Sequence, residues 1–417
     1  MNGFGIWFSV FLMTAPLFKI YNLFFSSVTL ADGILILFFL SGLFFLLNRK
    51  IIRIHRLFLF YAGFVFFQFV MVCIWNQTEE FIFTDVLFRT LRYVFFFLVL
   101  AFLVPNFFHE ETAVKTMKTV AAAATGYLFL QKIILLVSGM YLPGYLPGIP
   151  LSRPEMAEHA TVLFQYDPRP RSIFEEPSHY AFYVLMAMAL ILGKNKFQRR
   201  ERNLLVFLGL GILLSASSTG IIAMAALFFI WIFLSGGKKQ KKAMVIGLLS
   251  LPFLGLVLIR IPAFQVFLER MAKGTSSSQH LGAYGILFRL KQNGFSVFLG
   301  NGMIDTTTYG FLPSYCRVYY YYGIAGVLLV VGGLLYLVFF VKRDYLYLGI
   351  LFLILCISGT ELFGIQVFLI FPYLSLSKQE REYSMGIQKQ QRQIKEKTGW
   401  NPKTPISRKR RCRYSVE

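Results

Sequence analysis

KNKFQRRER (194–202), an apolar run from Asn203 to Ser235, and then KKQKK (238–242): the reading of this stretch decides the fold. Both flanks are strongly basic, and short basic loops stay on the cytoplasmic side of a membrane. An even number of crossings must therefore separate them. The run is too long for one span of ~20 residues. Ser215-Ala216-Ser217-Ser218-Thr219-Gly220 interrupts it with the hydroxyl side chains and glycine of a tight turn. Two helices joined on the far side are expected.

Working outward, further apolar runs fall at about 4–25, 29–47, 57–75, 88–108, 119–141, 177–193, 243–261, 318–341 and 345–377. The last is again overlong and lies between Lys342-Arg343 and a basic tail, so it too should cross twice, breaking at Gly359-Thr360-Glu361. The expected fold class is all-α, a polytopic integral membrane protein of about twelve transmembrane helices, with both termini cytoplasmic. The other short loops agree: Arg49 to Arg56 and His109 to Lys118 inside, Trp75 to Asp85 with Glu79 and Glu80 outside. Residues 1–25 show neither a basic leader nor a small-residue cleavage site, so the first run is expected to remain a span. Residues 1–377 form the membrane domain. The tail 378–417, with 12 Lys and Arg against 4 acids, reads as a disordered cytoplasmic segment near anionic headgroups.

The composition excludes several classes. Hydrophobic residues make up 56% of the chain and charged ones only 15%, so the net charge of +22 sits in short loops. Positive-inside loops produce that excess without a nucleic acid partner. Cytoplasmic loops this short build no nucleotide-binding domain. Cys73, Cys316, Cys356 and Cys412 lie far apart without metal-ligand spacing, and no acidic pair suits a divalent ion, so neither a metal nor a cofactor is expected.

Two large extracytoplasmic loops remain, about 142–176 and 262–317, and chemistry is expected there. The first ends Arg169-Pro-Arg171-Ser-Ile-Phe-Glu175-Glu176-Pro177-Ser178-His179-Tyr180 and runs into the sixth apolar run. Pro177 fits a first helical turn, which puts Glu176 near the cap. Two arginines, two carboxylates, a histidine and a helix N-terminus gather within a few residues. A capped helix with interfacial charges is the plain alternative. In the second loop Arg289 precedes Gly300 by ten intervening residues, and Gly300-Asn301-Gly302, Pro313-Ser314, Tyr319 to Tyr322 and Gly323-Ile-Ala-Gly326 follow. Tyr319 and Tyr320 read either as an interfacial aromatic belt or as a stacking surface for sugar rings. His280 stands earlier in the loop.

Taken in order, these residues resemble the Wzy-type polysaccharide polymerases, of the O-antigen ligase and polymerase superfamily. The resemblance lies in Arg171, Phe174, Glu176, Pro177 and Ser178 at the opening of a span, in the Ser-rich break at 215–220, in the Gly-x-Gly element, and in the Tyr-Gly-Ile-x-Gly opening of a late span. It covers roughly residues 150–330. Arg289 with Gly300 matches the second-loop spacing of that family; neither Arg169 nor Arg171 matches the first-loop spacing, so which of them acts stays open. Pro313-Ser314 stands where ligases carry His-Asn, which favours a polymerase over a ligase or a lipid-linked oligosaccharide flippase.

The resemblance implies an enzyme of the bacterial plasma (inner) membrane that joins polyprenyl diphosphate-linked oligosaccharides for O-antigen, capsule or exopolysaccharide. Membrane lipids, a chain-length regulator and a flippase of the same pathway are the implied partners. Arg171 or Arg169 with Arg289 would stabilise the departing diphosphate, because guanidinium stays charged and binds phosphate oxygens bidentately. Glu176 first and His179 second are the expected proton acceptors. Glu175, Ser178, His280, Tyr319 and Tyr320 complete the expected substrate contacts.

Overall fold

The computed structural model describes residues 2–23, 28–48, 52–75, 81–152, 169–194, 198–235, 282, 284, 285, 287, 294–304, 312–340 and 343–376. Met1–Ser375 form one compact unit and Leu376–Glu417 a second. The run 243–261, His280, Arg289, Cys412 and the basic tail lie outside the described residues.

The described residues are helical, with isolated bridges pairing Tyr21 with Leu151 and Asn22 with Thr29, and no strand. In chain order the helices are α1 (Asn2–Phe18), α2 (Leu30–Leu47), α3 (Arg56–Trp75), α4 (Phe83–Leu98), α5 (Glu110–Ser138), α6 (Pro177–Leu192), α7 (Arg199–Leu214), α8 (Ser218–Ser235), α9 (Gly294–Leu299), α10 (Ser314–Phe340) and α11 (Leu346–Ser358). α2, α3, α4 with its continuation to Phe107, α5 and α10 are long and apolar enough to cross a membrane. The chain is thus a membrane-embedded helical protein.

Local chemistry explains the irregularities. Pro105 has no N–H to offer the Ala101 carbonyl four residues back, and α4 widens into a π turn over Val99–Leu103. The released carbonyl accepts the His55 N–H at 2.9 Å. Asn106 then clips the same loop, donating to the Arg53 carbonyl at 2.7 Å and accepting the Arg53 N–H at 3.1 Å. α5 begins well before the apolar run that announced it: the segment expected as an inner loop, His109 to Lys118, is helical from Glu110. His109 caps it by accepting the Thr112 N–H, and Glu110 and Glu111 sit in the first turn, where the helix dipole favours them.

The 203–235 run breaks between α7 and α8. Ala216 takes a left-handed φ of 49°, the Ser215 hydroxyl donates to the Ile212 carbonyl at 2.7 Å, and the Ser217 Oγ accepts the Gly220 N–H at 3.2 Å. The 345–377 run breaks where expected, after Ser358, but its second half is not a plain helix. It continues as 3-10 turns over Glu361–Phe363 and Ile365–Leu369 and one α turn, Phe371–Leu374. Every residue from Ile365 to Leu374 is buried. Irregular backbone persists at membrane depth only when protein surrounds it.

The centre of the unit is α6. All its residues from Tyr180 to Leu192 are buried, and it packs against α5, α7, α8 and α11. A helix apolar on every side belongs inside a bundle. Whatever its first turn presents is therefore held by the most constrained helix of the molecule.

Candidate functional site

The segment before α6 is fixed by one buried serine. Ser172 adopts φ 58°, a left-handed conformation rare for a side chain-bearing residue, so its surroundings must hold it there. Gln131 of α5 does so from both sides, accepting the Ser172 N–H at 2.8 Å and donating to its carbonyl at 3.2 Å. The Ser172 hydroxyl donates to the Ala124 carbonyl at 2.6 Å. Gly144 passes so close to the Ser172 carbonyl that a Cβ there would overlap it.

This anchoring aims Arg171. Its Nε donates to the Tyr141 hydroxyl at 3.0 Å, its Nη1 donates to the Glu175 carbonyl at 3.2 Å, and the guanidinium lies 5.9 Å from the Tyr141 ring centre. Nη2 is buried with no hydrogen-bond partner. A buried donor left unpaired is costly, by about 1–3 kcal/mol, and an anion would satisfy it. Burial pushes the Tyr141 hydroxyl above its ordinary value, an effect that Arg171 partly offsets. Arg169 is half-buried two residues earlier.

The two glutamates part company. Glu176 is the N-cap of α6 by backbone conformation (φ −141°, ψ 158°), yet its side chain does not cap the helix; it is exposed and accepts the Ser178 hydroxyl at 3.0 Å. Glu175 is buried. Its Oε2 lies 3.5 Å from His179 Nδ1 and 3.8 Å from the Lys19 ammonium, just past the end of α1. Lys19, Glu175, His179 and Gln366 line a narrow pocket backed by Phe174 and Tyr183. The helical turn that separates residues 175 and 179 brings their side chains together, whereas Glu176 falls on another face.

The return after α11 supplies a third carboxyl. Glu361 Oε2 is buried and has no hydrogen-bond partner, as is Gln366 Oε1. Glycines make room for both: a Cβ on Gly359 would occupy the Glu361 carboxyl, and one on Gly364 the Gln366 amide. Burial raises the Glu361 pKa to about 7, partly opposed by its own backbone N–H and by Lys19, and assisted by Glu176. Lys19 thus faces Glu175 on one side and Glu361 on the other.

Arg289 and His280 lie outside the described residues. Gly300-Asn301-Gly302 is a clip: the glycines take φ 79° and 81°, and the Asn301 and Gly302 N–H groups donate to the Tyr320 and Tyr321 carbonyls at 2.9 and 3.1 Å. Tyr320, Tyr321 and Tyr322 are each only 4% exposed, in a core with Val65, Phe69 and Met303. Tyr320 therefore offers no ring at the surface, either to an interfacial belt or to a sugar; Tyr319 is half-buried. Among the described residues no group of three or more His, Cys, Asp or Glu is placed to hold a metal.

Lys19, Glu361 and Gln366 stand far from residues 169–180 in sequence, and no motif links them; only the unusual burial of a charge at Glu361 in an apolar run was a signal. No protein-family model, curated protein or solved structure matches the chain.

Proposed function

We propose that this protein is a polysaccharide polymerase of the Wzy type, joining polyprenyl diphosphate-linked oligosaccharides at the outer face of a bacterial plasma membrane. In this reading the chain crosses about twelve times, both termini are cytoplasmic, and residues 169–180 face outward. The observation that carries it is the grouping of Arg171, with an unpaired buried Nη2, and the Glu175–His179 pair at the start of the central helix.

Glycosyl transfer from a lipid diphosphate requires two things of a site. The acceptor hydroxyl must lose its proton as it attacks the anomeric carbon, and the departing diphosphate must be stabilised. Arg171 supplies a preorganised guanidinium for the second task. For the first, His179 takes precedence over Glu176. Glu175 fixes the imidazole through Nδ1, which makes Nε2 the proton-accepting atom, and stabilises the imidazolium that forms. Glu176, exposed and bonded to Ser178, lacks the burial that raises carboxylate basicity.

The test is polymer formation by purified protein from a lipid diphosphate-linked repeat unit. His179→Gln should lower the rate by about 10² to 10⁴-fold at normal abundance, the usual effect of removing a general base; Glu176→Gln should stay within a few-fold of native. Native rates in His179→Gln would make the segment structural. Loss in Glu176→Gln alone would transfer the role to the exposed carboxylate.

A further inference from the structure

A second cluster of arginines lies away from Arg171. Arg89 and Arg92 on α4 and Arg317 on α10 are all near enough to the Tyr93 hydroxyl to act on it electrostatically. Each is placed differently. Arg92 binds Asp32 bidentately, Nε to Oδ1 at 3.1 Å and Nη2 to Oδ2 at 2.9 Å, and lies 5.5 Å from the centre of the Phe96 ring. Arg89 Nη1 donates to the Ile304 carbonyl at 3.1 Å. Arg317 Nε is buried with no hydrogen-bond partner. Asp32 is itself held by the Thr29 N–H and hydroxyl, at 3.1 and 2.7 Å, so it cannot swing away to neutralise a second arginine.

Directly beside this cluster is an apolar cavity. Tyr93, Phe96, Phe97, Tyr322, Leu334 and Phe363 are among its walls, and its lining is almost wholly carbon. Tyr93 belongs to both regions: its ring lines the cavity, and its hydroxyl donates to the Phe363 carbonyl within reach of the arginines. Val318, next to Arg317, also lines the cavity. A cationic cluster bordering an apolar cavity is complementary to an anionic amphiphile.

Charge narrows the class. Three guanidinium groups against the one Asp32 carboxylate leave two positive charges; Asp85, one turn before Arg89, is exposed. A phosphodiester headgroup carries one negative charge, whereas a terminal phosphate or diphosphate carries about two or more at neutral pH. We propose that Arg89, Arg92 and Arg317, with the adjoining cavity, bind a lipid ending in a phosphate monoester or diphosphate, head on the arginines and first carbons in the cavity. This site is separate from the one at Arg171. The 3-10 turn at Glu361–Phe363 divides them: at three residues per turn, positions 361 and 363 point in different directions. Glu361 faces Lys19 and Glu176, and Phe363 faces Tyr93. The inference stands without the polymerase reading; joined to it, the site gives a place to the second of two lipid-linked substrates.

The experiment uses full-length protein in detergent, with farnesyl diphosphate as probe and phosphatidylglycerol, inorganic diphosphate and farnesol as comparisons. Bound stoichiometry is read by native mass spectrometry and affinity by titration, with folding of each variant checked by thermal unfolding. Arg317→Gln should weaken farnesyl diphosphate binding at this site about tenfold or more, the effect of one charge-assisted contact. Leu334→Trp, which fills the cavity from the far side, should weaken farnesyl diphosphate but leave inorganic diphosphate unchanged. Arg171→Gln should retain one bound farnesyl diphosphate. Unchanged binding in both the Arg317 and Leu334 variants overturns the proposal, as does phosphatidylglycerol binding as tightly as farnesyl diphosphate. Loss of all lipid in Arg171→Gln also overturns it, by showing a single site, and leaves the polymerase reading intact. An Arg171→Gln variant with native binding and native polymerisation instead sinks the role given to Arg171 and leaves this site standing.

Discussion

The Glu175 carboxylate lies 3.5 Å from His179 Nδ1 across one turn at the start of α6. The pair sits on the helix with the least freedom to move, so the imidazole is held by packing as well as by charge. Glu175→Gln keeps the shape of the side chain and removes its charge. The expected result is a fall in polymer formation of about 10²-fold or more with abundance unchanged, measured on purified protein. A native rate would show that His179 needs no partner.

Arg171 uses Nε and Nη1 on Tyr141 and the Glu175 carbonyl, and points Nη2 elsewhere. Lysine keeps the charge but has a single nitrogen for three directions. Arg171→Lys is expected to lose at least about tenfold in polymerisation, one charge-assisted hydrogen bond. Full activity in a strain lacking the native gene would contradict the geometry.

Gln131 holds Ser172 at its left-handed φ through two hydrogen bonds and also donates to the Leu142 carbonyl at 2.9 Å. Gln131→Leu fills the same space and leaves these buried backbone groups unpaired, at about 1–3 kcal/mol each. A lower unfolding midpoint is expected together with reduced activity, because Arg171 adjoins Ser172. Unchanged stability would show that the loop is fixed by packing alone.

Glu361 gives a pH dependence with a definite sign. Its pKa is near 7 in the folded protein, above the ordinary 4.5, so the folded state binds more protons than the unfolded one between these values. Its favourable contribution is fully present below about pH 4.5 and is lost as pH rises through 7. Glu361→Gln should therefore raise the unfolding midpoint at pH 8 relative to native protein, with the difference vanishing near pH 5. A constant difference between variant and native at both pH values would contradict the assignment of this proton.

Orientation can be read by cysteine labelling of intact cells in a background without the native cysteines. Leu146 and Arg200 are both exposed. A cysteine at 146 should react with an impermeant reagent and one at 200 should not. The reverse result would invert the topology and remove residues 169–180 from the outer face.

Much of the fold was legible from the chain because its signals are local. Pro177 announced the start of α6, and Ser215 to Gly220 announced the turn between α7 and α8. The start of α5 was missed because charged residues at 110–118 read as a loop, although a capping histidine followed by two glutamates is also how a helix begins. The return at 361–374 was taken for a span because hydropathy reports burial without saying whether lipid or protein does the burying. The site was half legible. Residues 169–180 stood together in sequence, but the partnership of Glu175 rather than Glu176 with His179 depends on helical phase. Lys19, Glu361, Arg92 and Arg317 meet only through packing.

The buried return bears on how the chain is made. Its 3-10 turns leave backbone groups that lipid cannot satisfy, so a ribosome cannot release this stretch into the bilayer as an independent segment. It has to be received by helices already in place. Because it lies near the end of the compact unit, α1, α3, α4 and α6 have all left the ribosome before it does. The order of synthesis matches the order of need, and moving these residues to an earlier position in the chain would leave them without a receiving groove.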